Sequence, residues 1–191
     1  MKCPRGGALL LLALITLALA TPGSAQKPPA PAAQPAAPPF AVQGFRYQQL
    51  QQPGSNVTTH MNDCEEAACG PGSKVSYIFF GPQPHSFDAY KTERSKVEAF
   101  MRSQIPAGIK ITFDPPTVQK VGPVTIYEAR RTQTAPDGST HVAISTSFNS
   151  DSMQIDLISS SAIPKAAEGN TRTFQSMIVI WMAIQADKNK K

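Results

Sequence analysis

The sequence is poor in the residue types that carry most enzyme chemistry, with three cysteines, three histidines and one tryptophan among 191 residues. A hydrolytic triad needs a nucleophile, a base and an orienting acid in contact, and no histidine here lies in a nucleophile-elbow motif. No nucleotide-binding loop is present, and the carboxylates form no evident acid–base pair. We therefore expect a non-catalytic protein without a cofactor, with a small hydrolase of unrecognised site as an alternative.

The sequence also lacks an apolar run long enough to span a bilayer. The N-terminal run from Ala8 to Ala20 has thirteen residues, whereas a membrane-spanning helix needs roughly 20. It follows the basic residues Lys2 and Arg5 and precedes small residues that end at Ala25, which is the layout of a secretory signal. We expect cleavage after Ala25, with Ala20 as the second candidate, and a periplasmic or secreted bacterial protein. An uncleaved N-terminal anchor is the alternative.

Proline is concentrated directly after this signal. Residues 27–39 contain six prolines and five alanines. Because proline fixes φ and removes a backbone donor, this segment predicts an extended spacer of about 40 Å rather than a helix or strand. The predicted organisation is a signal peptide at 1–25, a proline- and alanine-rich linker at 26–39, a single α+β domain at 40–187 and a basic tail at 188–191.

The positive charge of the chain is concentrated at its two ends. The formal net charge is +5, and loss of Lys2 and Arg5 with the signal lowers it to +3. Three of the remaining positive charges, Lys188, Lys190 and Lys191, lie in the last four residues. Nucleic-acid binding requires a basic face on the folded surface, so no nucleic-acid partner is predicted. We expect a monomer or weak homodimer whose partner is another envelope protein.

Hydrophobic periodicity predicts strands on both sides of one long helix. Period-two alternation marks Lys74–Phe80 as a strand, and Ser86 is a suitable N-cap for an amphipathic helix that ends at Gln104. Alternating segments then predict a run of strands from Ile109, of which the last three, joined by two tight turns between Val124 and Leu157, form an antiparallel meander. The segment Thr171–Gln185 fits a buried helix, although its β-branched residues leave a strand open.

The two cysteines of the mature chain, Cys64 and Cys69, are predicted to form a disulfide because the count is even in an exported chain. A redox dithiol is less favoured, since redox pairs have the tighter Cys-x-x-Cys spacing and neighbouring carboxylates weaken a thiolate. A third hypothesis is a metal-handling protein in which His60 joins both cysteines as ligands for zinc or copper(I). His85 lies too far along the chain to supply an evident fourth ligand.

The order of elements resembles the α/β/α sandwich of the PsbP-like family, known from a photosystem accessory subunit and bacterial exported relatives. The resemblance covers Phe87–Ile105 as the first helix, Ile109–Leu157 as the sheet and Phe174–Ile184 as the last helix. It implies an antiparallel sheet flanked by an amphipathic helix and a C-terminal helix, and a non-catalytic accessory or binding role. It carries over no functional residue, and Cys64–Cys69 lies outside the pattern. A cystatin-like helix on a sheet is the alternative.

Overall fold

Within the part of the chain that the structure describes, alternating apolar and polar residues give eight strands, and two segments with helical spacing give the helices α1 (Phe87–Gln104) and α2 (Pro164–Lys188). All eight strands belong to one antiparallel sheet. In chain order they are β1 (Phe45–Gln51), β2 (Thr58–Cys64), β3 (Lys74–Phe80), β4 (Lys110–Phe113), β5 (Thr117–Val121), β6 (Val124–Thr134), β7 (Thr140–Asn149) and β8 (Gln154–Ser161).

The computed structural model describes residues 40–51, 57–81 and 86–188. The chain divides into two units, and every described residue belongs to the second, Gln34–Lys191. The predicted signal peptide with its cleavage site at Ala25, the proline-rich linker, His85 and residues 189–191 of the predicted tail lie outside the described residues.

The sheet runs in the order β1-β2-β3-β8-β7-β6, and β4 and β5 lie end to end along the outer edge of β6. Hairpins join β6 to β7 and β7 to β8, which confirms the predicted meander. Successive side chains of a strand point to opposite faces, so Ile126 and Tyr127 lie on different sides of the sheet. Ile126 packs in the core with α2, and Tyr127 stacks on α1. The fold is therefore an α+β sandwich with one helix on each face.

Helix α2 closes the main core. Its buried apolar residues Ala167, Phe174, Ile178 and Met182 follow helical spacing along one side. The predicted helix is confirmed, and it begins at Pro164, seven residues before the predicted start. Proline suits the first helical position because the N–H it lacks would have no intrahelical partner there. The sheet contributes Val75, Tyr77, Val124, Ile126, Phe148, Ile155 and Leu157 to this core.

The outer side of α2 is more exposed than its all-round apolar sequence predicts. Ile180 is 62% exposed and Ile184 is 49% exposed. The sequence predicted a buried helix, but no described residue covers this side. The side of α2 that carries Phe174, Ile178 and Met182 packs on the sheet, and the opposite side faces solvent.

The first described residue, Phe40, is anchored in the same core. Its ring lies 5.3 Å from that of Tyr77, and its backbone N–H donates a hydrogen bond of 3.0 Å to the Tyr77 hydroxyl. The burial of this hydroxyl raises the pKa of Tyr77 to about 12. The chain thus enters the domain through a fixed contact ahead of β1.

Helix α1 is held less tightly than α2. Ser86 caps it as predicted, since its hydroxyl accepts from the Ala89 N–H at 3.1 Å. No residue of α1 is buried, and its apolar residues Val97 and Phe100 are 49% and 66% exposed. The sheet face below carries small residues of β7, so the helix rests on Tyr127 at one end and leaves a gap beside it.

Replacing Phe174 with alanine should lower the free energy of unfolding by about 3–5 kcal/mol, because it empties a fully buried site in the core. Ile180→Ala on the exposed side of the same helix is the matched control and should stay within about 0.5 kcal/mol of wild type. Urea unfolding followed by circular dichroism measures both. Equal effects of the two substitutions would contradict the assigned orientation of α2.

Candidate functional site

His60, a proposed metal ligand, lies inside an aromatic cluster on the α2 face of the sheet. It is 4% exposed, and its ring stacks on Tyr77 with centroids 4.8 Å apart and planes 3° apart. Its Nδ1 is 2.8 Å from the Tyr47 hydroxyl, and Phe79 meets it edge-on. Burial lowers the pKa of His60. The side chain is therefore a neutral packing partner of the core.

Cys64 and Cys69 form the disulfide that the sequence predicts, with their sulfur atoms 1.98 Å apart. The bridge encloses a short 3₁₀ turn, Ala67–Cys69, and both cysteines are buried. Asn170 of α2 donates a hydrogen bond of 2.9 Å from Nδ2 to the Cys69 carbonyl. Gly70, at φ +78, passes so close to Ala166 that a Cβ there would lie 2.5 Å away. The disulfide loop thus fits tightly against α2.

The proposed metal-ligand set is not assembled. Among the described residues, no three histidine, cysteine or acidic side chains lie together in a group that could hold a metal ion. Both cysteine sulfurs are used in the disulfide, and His60 is hydrogen-bonded to Tyr47. His141 lies on an exposed position of β7, and the structure brings neither His60 nor His141 to the cleft described next.

A cleft of about 230 Å³ lies between α1 and strands β7 and β8. It forms where α1 stands away from the small side chains of β7, and it is partly open to solvent. Pockets for drug-sized ligands occupy roughly 300–1,000 Å³, so this cleft suits a smaller molecule. Its polar and aromatic lining comes from Tyr90, Glu93 and Arg94 of α1 and from Ser145, Ser147, Gln154 and Asp156 of the sheet.

One buried amide, that of Gln154, lines the floor of this cleft, and a second, that of Asn149, lies beside it in the sheet. Gln154, 6% exposed, donates from Nε2 to Asp156 Oδ1 at 2.9 Å. Its cross-strand neighbour Asn149, 8% exposed, donates from Nδ2 to Ser147 Oγ at 3.3 Å. The carbonyl oxygens of both amides are buried without a hydrogen-bond partner among the described residues. Leaving a buried acceptor without a hydrogen-bond partner costs about 1–3 kcal/mol of free energy. A hydrogen-bond donor that reached either oxygen would remove this cost.

Arg94, a cationic residue of the cleft lining, has an ion-pair partner and a hydrogen-bond partner that lie outside the cleft. Its Nε lies 2.7 Å from Glu98, and its Nη2 donates to the carbonyl oxygen of Arg130 at 3.2 Å. Neither Glu98 nor Arg130 lines the cleft. Burial raises the pKa of the Tyr90 hydroxyl, an effect that the neighbouring Arg94 opposes. The charged groups of the lining that have no ion-pair partner among the described residues are therefore the carboxylates of Glu93 and Asp156.

Sequence reasoning missed this site. It predicted the meander that contains β7 but gave no role to Ser145 and Ser147. One signal was available: these small polar residues alternate with buried apolar ones beneath a helix that carries Tyr90. An amphipathic helix placed over a small, polar strand face leaves room for a ligand.

Comparisons with known proteins add no function. No family model matches the sequence, and no curated protein matches it. Within the described residues, neither helix combines the length and apolar character needed to cross a membrane. The geometry of the cleft is therefore the basis for assigning a role.

Lowering the pH below about 6.5 should destabilise the fold through His60. Its pKa is lowered in the folded state, so the unfolded chain binds the proton more readily, and stability present above pH 6.5 is lost as the pH falls toward the folded pKa. The loss from this one group is at most about 1.4 kcal/mol per pH unit. His60→Gln, which does not titrate, should remove it.

The measurement is urea unfolding of wild type and His60→Gln at several values between pH 7.5 and pH 5.5. His141 remains in both proteins, so the difference between the two curves isolates His60. Parallel curves for the two proteins across this range would show that His60 does not titrate differently on folding.

Proposed function

We propose that this chain is an exported, non-catalytic binding protein whose ligand site is the cleft between α1 and strands β7 and β8. The observation that carries the proposal is the side chain of Gln154, which lines the cleft and whose buried carbonyl oxygen has no hydrogen-bond partner among the described residues. A ligand that donates a hydrogen bond would satisfy this oxygen. Tyr90 and Val97 on the opposite wall offer apolar surface to the same ligand.

Binding suits this site better than catalysis. An acid–base or nucleophilic mechanism needs a titratable pair in contact, and the carboxylates Glu93 and Asp156 lie on opposite walls of the cleft without a histidine beside them. The small hydrolase and the metal-handling protein expected as alternatives gain no support from a particular contact. The floor of fixed strands with a loosely held helix above it favours reversible entry of a ligand.

Export is the second part of the proposal. The Cys64–Cys69 disulfide supports it, since structural disulfides persist in oxidising compartments such as the bacterial periplasm. The basic start, the apolar run and the small residues up to Ala25 supply the signal, and the proline-rich linker would set the reach of the domain. The arrangement of one helix on each face agrees with a PsbP-like accessory protein that assists an envelope component as a monomer or weak homodimer.

Filling the cleft should abolish ligand binding. Ser145→Phe introduces a ring between β7 and α1 and should eliminate saturable amide shifts in ¹H–¹⁵N spectra titrated with a library of small fragments. The wild type should show such shifts at Ser145, Ser147 and Asp156. Ser176→Phe, on the exposed side of α2, is the control and should bind as wild type does. Shifts that are scattered, or unaffected by Ser145→Phe, would place binding elsewhere.

Intact-mass analysis of the full chain expressed in a bacterium should find the protein in the periplasm or medium, beginning at Gln26. Without reductant neither Cys64 nor Cys69 should react with iodoacetamide, and with reductant two thiols should react. The Cys64→Ser/Cys69→Ser variant is the control for specific labelling. A cytosolic chain that retains Met1 and carries both thiols free would overturn the export proposal.

A further inference from the structure

We propose that the ligand of this cleft is a small organic cation, a primary ammonium group on a short apolar body. The inference rests on the proposed function and specifies the chemistry of its ligand. It follows from three features of the cleft: the unpaired carbonyl oxygen of a buried amide, two carboxylates without an ion-pair partner, and apolar side chains on the walls.

The amide of Gln154 offers the cleft an acceptor. Its nitrogen is already used, because Nε2 donates to Asp156 Oδ1 at 2.9 Å. This bond fixes the orientation of the amide, since the reverse orientation would bring two oxygens together. The oxygen that remains is buried and has no partner among the described residues. The ligand that completes this site must therefore be a hydrogen-bond donor.

The cleft lining carries two negative charges, on Glu93 and Asp156, and one positive charge, on Arg94. Asp156 of β8 and Glu93 of α1 both line it, and neither has an ion-pair partner among the described residues. The positive charge of Arg94 is taken up by Glu98 and by backbone oxygens outside the cleft. A carboxylate or phosphate ligand would meet two carboxylates without a free cation. An ammonium group supplies three donors and a compensating charge at once.

The walls favour a short apolar body behind the ammonium group. Val97 is 49% exposed and Ile158 is 43% exposed, and both line the cleft with the ring of Tyr90. Burying these side chains against a ligand gives a favourable transfer free energy of about 25 cal/mol per Å² of apolar surface. The volume of about 230 Å³ limits the body to a short chain or small ring.

A titration with matched probes tests this chemistry. The mature protein is titrated with hexylammonium, 1-hexanol and hexanoate, and dissociation constants are taken from the amide shifts of Ser145, Ser147 and Asp156. We expect hexylammonium to bind at least tenfold more tightly than 1-hexanol, and hexanoate to give no saturable shift. Added salt should weaken hexylammonium binding and leave 1-hexanol unaffected, because salt screens charge pairs.

A fourth probe, Nα-acetyl-lysine N-methylamide, separates a free amine from the side chain of a polypeptide. It carries the same ammonium group on a chain attached to a backbone. We expect it to bind more weakly than hexylammonium, since the small cleft has no room for the backbone. Tighter binding of this probe would contradict a free amine as the ligand and would indicate a lysine side chain of a partner protein instead.

Charge-removing variants locate the contact. Asp156→Asn should weaken hexylammonium binding about fivefold, which corresponds to about 1 kcal/mol for a partly exposed charge pair, and should leave 1-hexanol unchanged. Asp151→Asn removes the same charge from the exposed β7–β8 turn and should bind as wild type does. Glu93→Gln, on the α1 wall of the cleft, should also weaken hexylammonium binding, and this variant replaces Asp156→Asn in the test if Asp156→Asn disturbs the fold.

The outcomes separate the two proposals. Equal affinities for hexylammonium and 1-hexanol, tighter binding of hexanoate, or unchanged affinity in both Asp156→Asn and Glu93→Gln would overturn the ammonium assignment while the cleft remained a binding site. Absence of shifts at the cleft residues with every probe, together with none from the fragment library, would overturn the binding site itself.

Discussion

The packing of α2 on one face of the sheet is the constraint on which the rest of the structure depends. Phe174, Ile178 and Met182 are fully enclosed against apolar side chains from four strands. On the opposite face β7 presents the small residues Ser145 and Ser147, and α1 lies there without a buried residue of its own. One face of the sheet therefore holds the fold together, and the other is left available for a ligand.

The N-terminal hairpin is joined to this core by polar as well as apolar contacts. The disulfide fixes the loop after β2, and Asn170 of α2 holds the Cys69 carbonyl in a buried hydrogen bond. Ser73 and Ser161 share a buried hydrogen bond of 2.7 Å where β3 meets the end of β8. The two hydrogen bonds join residues more than 85 positions apart in sequence. They place the strand that carries His60 and its aromatic partners under α2.

Much of the fold follows from local patterns, and most of the site does not. Period-two alternation in β3 and β7 and the capping hydroxyl of Ser86 predicted those elements near their observed bounds. The start of α2 at Pro164 was missed because Glu168, Gly169 and Asn170 interrupt the apolar pattern. Asn170 is polar and yet buried, since its partner is a carbonyl brought in by the fold.

The candidate site was beyond sequence reasoning for a related reason. The metal hypothesis grouped His60 with the cysteines by nearness in sequence, whereas the imidazole stacks between tyrosines and the sulfurs bond to each other. The cleft, in contrast, depends on how far α1 stands from β7 and on which way one amide is turned. The spacing of residues along the chain predicts neither the distance between α1 and β7 nor the orientation of the amide.

The anchoring of Phe40 has a mechanical consequence. Any force that reaches the domain from its N-terminal side is first borne by the Phe40–Tyr77 contact, in which a hydrogen bond and a ring pair act together. Behind it lies β1, an edge strand that pairs only with β2 among the described strands. Because Tyr77 also stacks on His60, tension is passed into the central sheet before the edge strand is peeled away. The domain is therefore built to remain folded while it is held by its leading end.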